Sequence, residues 1–241
     1  MTAHAVCMVL GFVAAYLLAR PRLDRLGVPE RHQLDMAILA VALGLIGARL
    51  EYVVERWSAF FPPGEPATWA RLRHALDLDG GGMVWYGGAL LAAAGMTAYW
   101  RWRRHPVLAG ADAYLPALLV GLAIGRVGCF LNGCCFGAAC DLPWALADAH
   151  GVARHPTQLY ETAVCAALGL GLWWWTRRRR RDGVALVIAV AGYAAWRFTV
   201  EFLRDPGPLV QVGGLTTAQW ISLGLAAGAA ALAGRTLRRR G

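Results

Sequence analysis

The chain has 241 residues, no lysine among its 24 basic residues, a net charge of +9, 58% hydrophobic residues and a mean hydropathy of +0.43. Only 16% of its residues are charged, too few to cover a soluble surface, so the composition excludes a soluble globular domain and points to an integral membrane protein. The arginines gather in clusters beside apolar runs, where anionic headgroups account for them, so the basic balance calls for no nucleic-acid partner.

Seven runs are long enough to span about 30 Å of hydrocarbon: 3–19, 34–54, 83–100, 107–125, 157–176, 183–203 and 216–234. They show no alternating pattern, which predicts an all-α polytopic bundle forming one domain over 1–241 rather than a barrel. The first run lacks a basic stretch before it and is followed by Arg20, Arg22, Arg25 and Arg31, so it reads as a retained helix and not a cleaved signal. Further clusters follow the third run (Arg101, Arg103, Arg104), the fifth (Arg177 to Arg181) and the seventh (Arg235, Arg238 to Arg240). Short basic loops stay cytoplasmic, so the N-terminus is expected outside and the C-terminus inside.

The third run opens on GGGMVWYGG, Gly80 to Gly88, whose glycines permit close backbone approach and leave amides free to face a ligand. They also suit plain helix packing, and Tyr86 suits an interfacial belt. The fourth run ends in GRVGCFLNGCCFG, Gly125 to Gly137, which puts Arg126 at membrane depth. A charge there costs about 2.5–3.5 kcal/mol on insertion scales and marks a functional site by default.

Cys129, Cys134, Cys135 and Cys140 form CxxxxCCxxxxC on the side expected to be oxidising. Plain packing, a disulfide from Cys129 or Cys134 to Cys140, and a thiolate activated by Arg126 all fit. The paired CxxC spacing of a zinc tetrathiolate is missing, and no metal is expected. Cys7 and Cys165 lie inside runs and read as small buried residues.

Next comes RHPTQLYE, Arg154 to Glu161, in which Pro156 starts the fifth run and Thr157 or Gln158 is placed to satisfy helix-end amides. His155, Gln158, Tyr160 and Glu161 then share the membrane face of Arg126. In the sixth run Tyr193, Arg197, Glu201 and Arg204 are spaced to project from one helical face. This is either an ion-pair ladder, Arg197 to Glu201 and Glu201 to Arg204, or an anion site. Two arginines against one carboxylate, with Arg126 added, leave a positive surplus suited to a phosphodiester.

In order along the chain, GARLEYV (Gly47 to Val53), GGMVWYGG, GRVGCFLNGCCFG, RHPTQLYE, YAAWRFTVEFLRDP and LTTAQWISL resemble the motifs of the prolipoprotein diacylglyceryl transferase family. The third resembles GRxGNFxNxExxG, the fourth RHPSQLYEA and the fifth YGxxRFxxEFFRxPD. The resemblance implies a bacterial inner-membrane enzyme that moves a diacylglyceryl group from phosphatidylglycerol to the cysteine thiol of a lipoprotein signal peptide, with its site on the outer side. It implies no cofactor. Arg126, Asn132 and Gly137 match the signature, and Tyr193, Arg197, Glu201 and Arg204 match the sixth-run motif.

Three departures from the family matter: Tyr86 stands for its histidine, thought to be the catalytic base, Cys129 for an asparagine and Cys134 for a glutamate. Aligned through Gly11 and Phe12, the family's first-run tyrosine falls on His4, which suggests that imidazole and phenol have exchanged helices. The resemblance thus places Arg126, Arg197 and Arg204 on the departing phosphate and makes His4, Glu201 or His155 the base. Tyr86, Gly87, Gly88, Asn132, Gly137, Tyr193, His155, Gln158 and Tyr160 hold substrate. The departures also fit a paralogue that uses another thiol or hydroxyl acceptor, or only binds phospholipid. A cysteine-based redox protein or a transporter is the reading outside this class, with no CxxC motif or internal repeat to support it.

Overall fold

The computed structural model describes residues 3–66, 68–77, 85–178, 181–204 and 211–238. Residues 80–84 of the glycine motif, Arg179, Arg180, Arg239 and Arg240 lie outside that set. Each of the seven apolar runs falls on a long helix: α1 (Ala3–Arg25), α2 (Glu30–Glu55), α5 (Trp85–Trp102), α6 (Val107–Leu131), α7 (Thr157–Trp175), α8 (Val184–Val200) and α9 (Thr217–Arg238). Among the described residues, four stretches are long and apolar enough to cross a membrane: Ala3–Arg25, Glu30–Glu55, Val107–Leu131 and Val184–Leu203. The chain forms two compact units, Met1–Gly27 with Leu108–Gly241, and Val28–Val107.

In the first unit, α6, α7 and α8 meet around Leu119, Ala123, Cys165, Leu172 and Ala189, with Leu115, Leu168 and Tyr193 against them. Cys165 is fully buried there, as expected for a packing residue. Small residues set the helix spacing: an ideal Cβ at Gly11 would lie 2.6 Å from the carbonyl oxygen of Gly121, and one at Gly169 would lie 2.8 Å from that of Pro116. Such close crossings raise dispersion contact where lipid supplies no hydrophobic drive.

Asp112 of α6 is buried, and its two oxygens accept the amides of Gly183 at 2.8 Å and Leu186 at 2.7 Å. It thereby caps the start of α8 from a distant part of the chain, at a helix end whose amides have no intrahelical partner. An acidic residue inside an apolar run was the available sequence signal for this role.

Two short hairpins complete this unit: β1 (Leu146–Ala147) pairs antiparallel with β2 (Ala153–Arg154), and β3 (Gln211–Val212) with β4 (Leu215–Thr216).

In the second unit α2 packs on α5 through glycines: Gly47 and Gly87 face each other, and a Cβ at Gly88 would lie 2.6 Å from the Gly44 carbonyl oxygen. The amide of Gly87 donates to a carboxylate oxygen of Glu51. The stretch between the second and third apolar runs holds two short helices, α3 (Trp57–Phe60) and α4 (Trp69–Leu76). Thr68 caps α4 by accepting the Arg71 amide at 3.4 Å. Buried Arg49 fixes the other end, donating to the carbonyls of Ala75 at 2.7 Å and His74 at 3.0 Å.

Candidate active site

The residues that carry the site's charge lie in the first unit. Arg126, near the end of α6, faces Glu161 in the second turn of α7, with Nε 3.0 Å from Oε2 and Nη2 donating to Oε1 at 3.2 Å. The Tyr193 hydroxyl donates to the same Oε1 at 3.0 Å, so one carboxylate ties α6, α7 and α8 together. Glu161 is buried, 2% exposed, a position a carboxylate holds only when paired and hydrogen-bonded.

A second pair follows on α8, where Arg197 Nη1 donates to Glu201 Oε2 at 2.6 Å. The other carboxylate oxygen of Glu201 accepts the Thr216 hydroxyl at 3.1 Å. Thr216 is itself the first residue of a capping box, T-x-x-Q: its Oγ1 accepts the Gln219 amide at 3.3 Å, and Gln219 Oε1 accepts the Thr216 amide at 3.0 Å. That pattern was legible in LTTAQ and marks the residue that fixes Glu201.

The expected ladder requires correction at its end. Helix α8 stops at Val200, Glu201–Leu203 form a single 3-10 turn, and Arg204 is extended with φ −92° and ψ 150°. Arg204 therefore leaves the helical face of Tyr193 and Arg197, and Thr216 takes the oxygen that a Glu201–Arg204 ion pair would have used. The charge balance changes as well. With Glu161 set against Arg126, the three arginines face two carboxylates, so the surplus is smaller than the sequence suggested but still positive.

The loop after α6 folds onto the start of α7. Thr157 Oγ1 donates to the Cys135 carbonyl at 2.8 Å and Gln158 Nε2 to that of Cys134, so both side chains bind loop carbonyls instead of capping helix amides. Among the described residues the cap position, Pro156, makes no side-chain bond, which corrects the expected cap. The amide of Gly137 donates to the His155 carbonyl at 2.9 Å, and that of Ala138 to the Leu203 carbonyl at 2.8 Å. Gly137 is required here, because a Cβ would lie 2.8 Å from Thr157 Cγ2 and 2.9 Å from His155 Cβ. His155 and Tyr160 pair with each other, Nδ1 3.5 Å from the phenol oxygen, and Trp144 donates to that phenol at 2.7 Å.

All six cysteines are free. The sulfurs of Cys129, Cys134 and Cys135 lie within 4.8 Å of one another, with Cys134 and Cys135 3.6 Å apart. The disulfide considered between Cys129 or Cys134 and Cys140 does not form. Cys140 is held beside β2 by its amide bond to the Ala153 carbonyl at 3.1 Å, whereas the Cys134 thiol turns back to the Cys129 carbonyl at 3.4 Å.

Hydrogen bonding from the Cys129 thiol, more than any other cause, draws the Cys135 thiol below the usual range. Burial opposes it, while Cys134, Arg126 and Arg204 act in the same sense. Burial pushes the Cys134 thiol up, and the Asn132 side chain partly offsets this. His4 Nδ1 stands 3.9 Å from Cys129 Sγ, which brings the first-helix imidazole to the thiols.

The structure thus gathers Arg126, Tyr193, Arg197, Glu201, Arg204, His4, Asn132, Gln158 and the three thiols in one unit. Tyr86, Gly87 and Gly88 belong to the other unit, where Glu51 binds the Gly87 amide. Glu161 and Thr216 are the partners that the sequence alone did not assign.

Comparison with known proteins agrees with the motifs. A family model described as prolipoprotein diacylglyceryl transferase matches residues 1–234. A protein of Corynebacterium efficiens named phosphatidylglycerol–prolipoprotein diacylglyceryl transferase is 34% identical over 223 residues, 84% of this chain and 67% of its own length. Proteins of the same name from Streptomyces griseus and Bordetella avium are 33% and 32% identical. The match covers 83% of this chain and 62% of the Streptomyces protein, and 98% of this chain and 90% of the Bordetella protein. The chain belongs to the prolipoprotein diacylglyceryl transferase family.

Proposed function

We propose that this protein is a bacterial inner-membrane transferase that moves a diacylglyceryl group from phosphatidylglycerol to the thiol of a lipobox cysteine and releases glycerol phosphate. The observation that carries the reading is the presence of two arginines, Arg126 and Arg197, each half-buried and paired with a buried carboxylate, Glu161 and Glu201, in one compact unit. Guanidinium groups held in place before the reaction stabilise charge on a departing phosphate without reorganisation. The helix over each apolar run and the arginine clusters support seven spans with the N-terminus outside, which puts this site at the outer leaflet.

The reaction is displacement at the glyceryl carbon: the thiol sulfur attacks, a C–S bond forms, and the C–O bond to phosphate breaks with its electron pair on oxygen. Arg126 and Arg197, with Arg204 beside the loop, receive that charge. Among the candidate bases, Glu201 is committed to Arg197 and Thr216, and His155 to Tyr160. His4, beside the Cys129 thiol, is the group best placed to take the acceptor proton. The lipid tails remain between helices in the bilayer, and the reading needs no organic cofactor.

The test is mass spectrometry of a lipobox peptide incubated with purified protein and phosphatidylglycerol vesicles. A diacylglyceryl mass gain is expected, abolished by Arg126→Ala; an unmodified peptide would contradict the reading. Tyr86, Cys129 and Cys134, standing where the family has histidine, asparagine and glutamate, favour a second reading in which the same fold serves another thiol or hydroxyl acceptor. Glycerol phosphate release without any change to the peptide selects it.

A further inference from the structure

Two of the three departures from the family that matter are cysteines, and the structure brings both of them together with Cys135. The three sulfurs lie within 4.8 Å of one another. A zinc ion with bonds of about 2.3 Å holds tetrahedral sulfurs about 3.8 Å apart. The Cys134–Cys135 separation of 3.6 Å already fits that edge. Neighbouring residues in extended backbone point to opposite sides. Here Cys135 takes φ 67°, a left-handed value that non-glycine residues seldom adopt, two residues after Gly133 at φ 67°.

The turn is tied down on both sides. Cys134 donates its amide to the Cys129 carbonyl at 3.1 Å, and Thr157 and Gln158 hold the carbonyls of Cys135 and Cys134. The thiols are therefore arranged by the fold rather than by a ligand.

Charge and access point the same way. Three thiolates around a dication leave one negative charge, and Arg126 stands on the same helix three residues before Cys129. Cys129 is buried, Cys134 half-buried and Cys135 exposed, so the group is walled at one side and open at the other. Three protein donors with an open fourth position is the arrangement of catalytic rather than structural zinc.

We propose that Cys129, Cys134 and Cys135 form a trithiolate site for zinc, whose fourth position takes the sulfur of the acceptor thiol. The role rests on the transferase reading above; the site does not. A thiol that binds the ion loses its proton outright, here to His4, and the sulfur attacks the glyceryl carbon as the phosphate leaves toward the arginines. The thioether product is neutral and a weak ligand, so it departs, and the proton leaves with glycerol phosphate or to water. The ion thus supplies the activation that the family's histidine is thought to give.

The full chain, purified in detergent with a phosphine reductant and stripped by chelator, is titrated with Co²⁺. One equivalent is expected to bind with near-ultraviolet thiolate-to-cobalt absorption, and Zn²⁺ should displace it. Cys134→Ser and Cys135→Ser should weaken binding by more than about 100-fold, since loss even of a residue that only orients a ligand costs 10–100-fold. Cys140→Ser should bind as the wild type does. Because the serine variants could misfold, Cys129→Asn/Cys134→Glu, which installs the family's residues, serves as a second variant and should lose the absorption while retaining its thermal transition.

Absence of the thiolate absorption in reduced protein, or its persistence in Cys134→Ser, overturns the site. Transfer to a lipobox peptide is then compared in stripped and zinc-loaded protein. Loss on stripping with recovery on Zn²⁺ supports the role. Equal transfer in both overturns the role and leaves the transferase reading standing. Metal binding with no transfer in either state leaves the site and removes the transferase reading together with the role.

Discussion

The two arginine–carboxylate pairs are alike in chemistry and burial and differ in how the chain makes them. Arg197 and Glu201 are four residues apart at the end of one helix, with side chains 16% and 4% exposed. Arg126 and Glu161, 19% and 3% exposed, come from different helices 35 residues apart. The first pair needs one turn of backbone, whereas the second exists only when α6, α7 and α8 have packed. A local pair can therefore survive a loosened bundle, while the long-range pair reports on its assembly.

The largest effects should come from the arginines. Removing either guanidinium should lower kcat/KM for peptide modification by about 10²–10³, the usual result of losing one preorganised donor at a developing anion. Lysine sharpens the comparison. Arg197→Lys should recover more of the activity than Arg126→Lys, because a lysine at 197 meets Glu201 along one helical turn, whereas one at 126 must reach Glu161 across a helix interface. Equal rescue at both positions would remove the distinction.

The carboxylates come next. Glu161→Gln should destabilise the protein by about 3 kcal/mol, because it removes the buried charge that pairs with the half-buried Arg126 at a point joining three helices. Glu201→Gln should cost less, since the amide oxygen can still accept the Thr216 hydroxyl. Thermal unfolding in detergent measures both, and a larger loss for Glu201→Gln would reverse the assignment.

Smaller losses follow from the neutral partners. Tyr193→Phe should cost about 1.5–3 kcal/mol, the range for one hydrogen bond to a charged group. Thr216→Val should cost about 1 kcal/mol through the cap of α9, and should lower activity further if Glu201 then turns from Arg197.

The smallest effect concerns the hairpin. Asp148 accepts the Val152 amide at 3.0 Å and Arg154 Nε at 2.6 Å, and these bonds, the backbone one foremost, hold its carboxyl below the usual range. A folded-state value below the unfolded one contributes stability that is present above the unfolded value and lost as pH falls through the folded value. Proteolysis of the β1–β2 loop should therefore rise on acidification below about pH 3.9. Asp148→Asn should abolish that dependence.

The same contrast explains what could be read from sequence. Hydropathy located all seven long helices because each run is apolar by itself. Arg197–Glu201 was legible because helical spacing is a local property. Glu161 was placed at the correct face but not assigned to Arg126, since spacing carries no information about a partner 35 residues away. Thr216 left a local signal in its capping box, Asp112 one in its charge, and Thr68 one as an N-cap before WARLRHAL. The thiols left a signal in CxxxxCCxxxxC, but not the arrangement of their sulfurs. That arrangement comes from a left-handed turn at Cys135 and from bonds to α7, which residue spacing does not encode.

Lipobox peptide mass after incubation with phosphatidylglycerol vesicles, read for wild type, Arg126→Ala and Arg197→Ala in parallel, tests the central claim most directly. The account predicts a diacylglyceryl adduct with wild type and almost none with either variant, while all three retain a cooperative thermal transition. An adduct formed equally by all three folded proteins would contradict it.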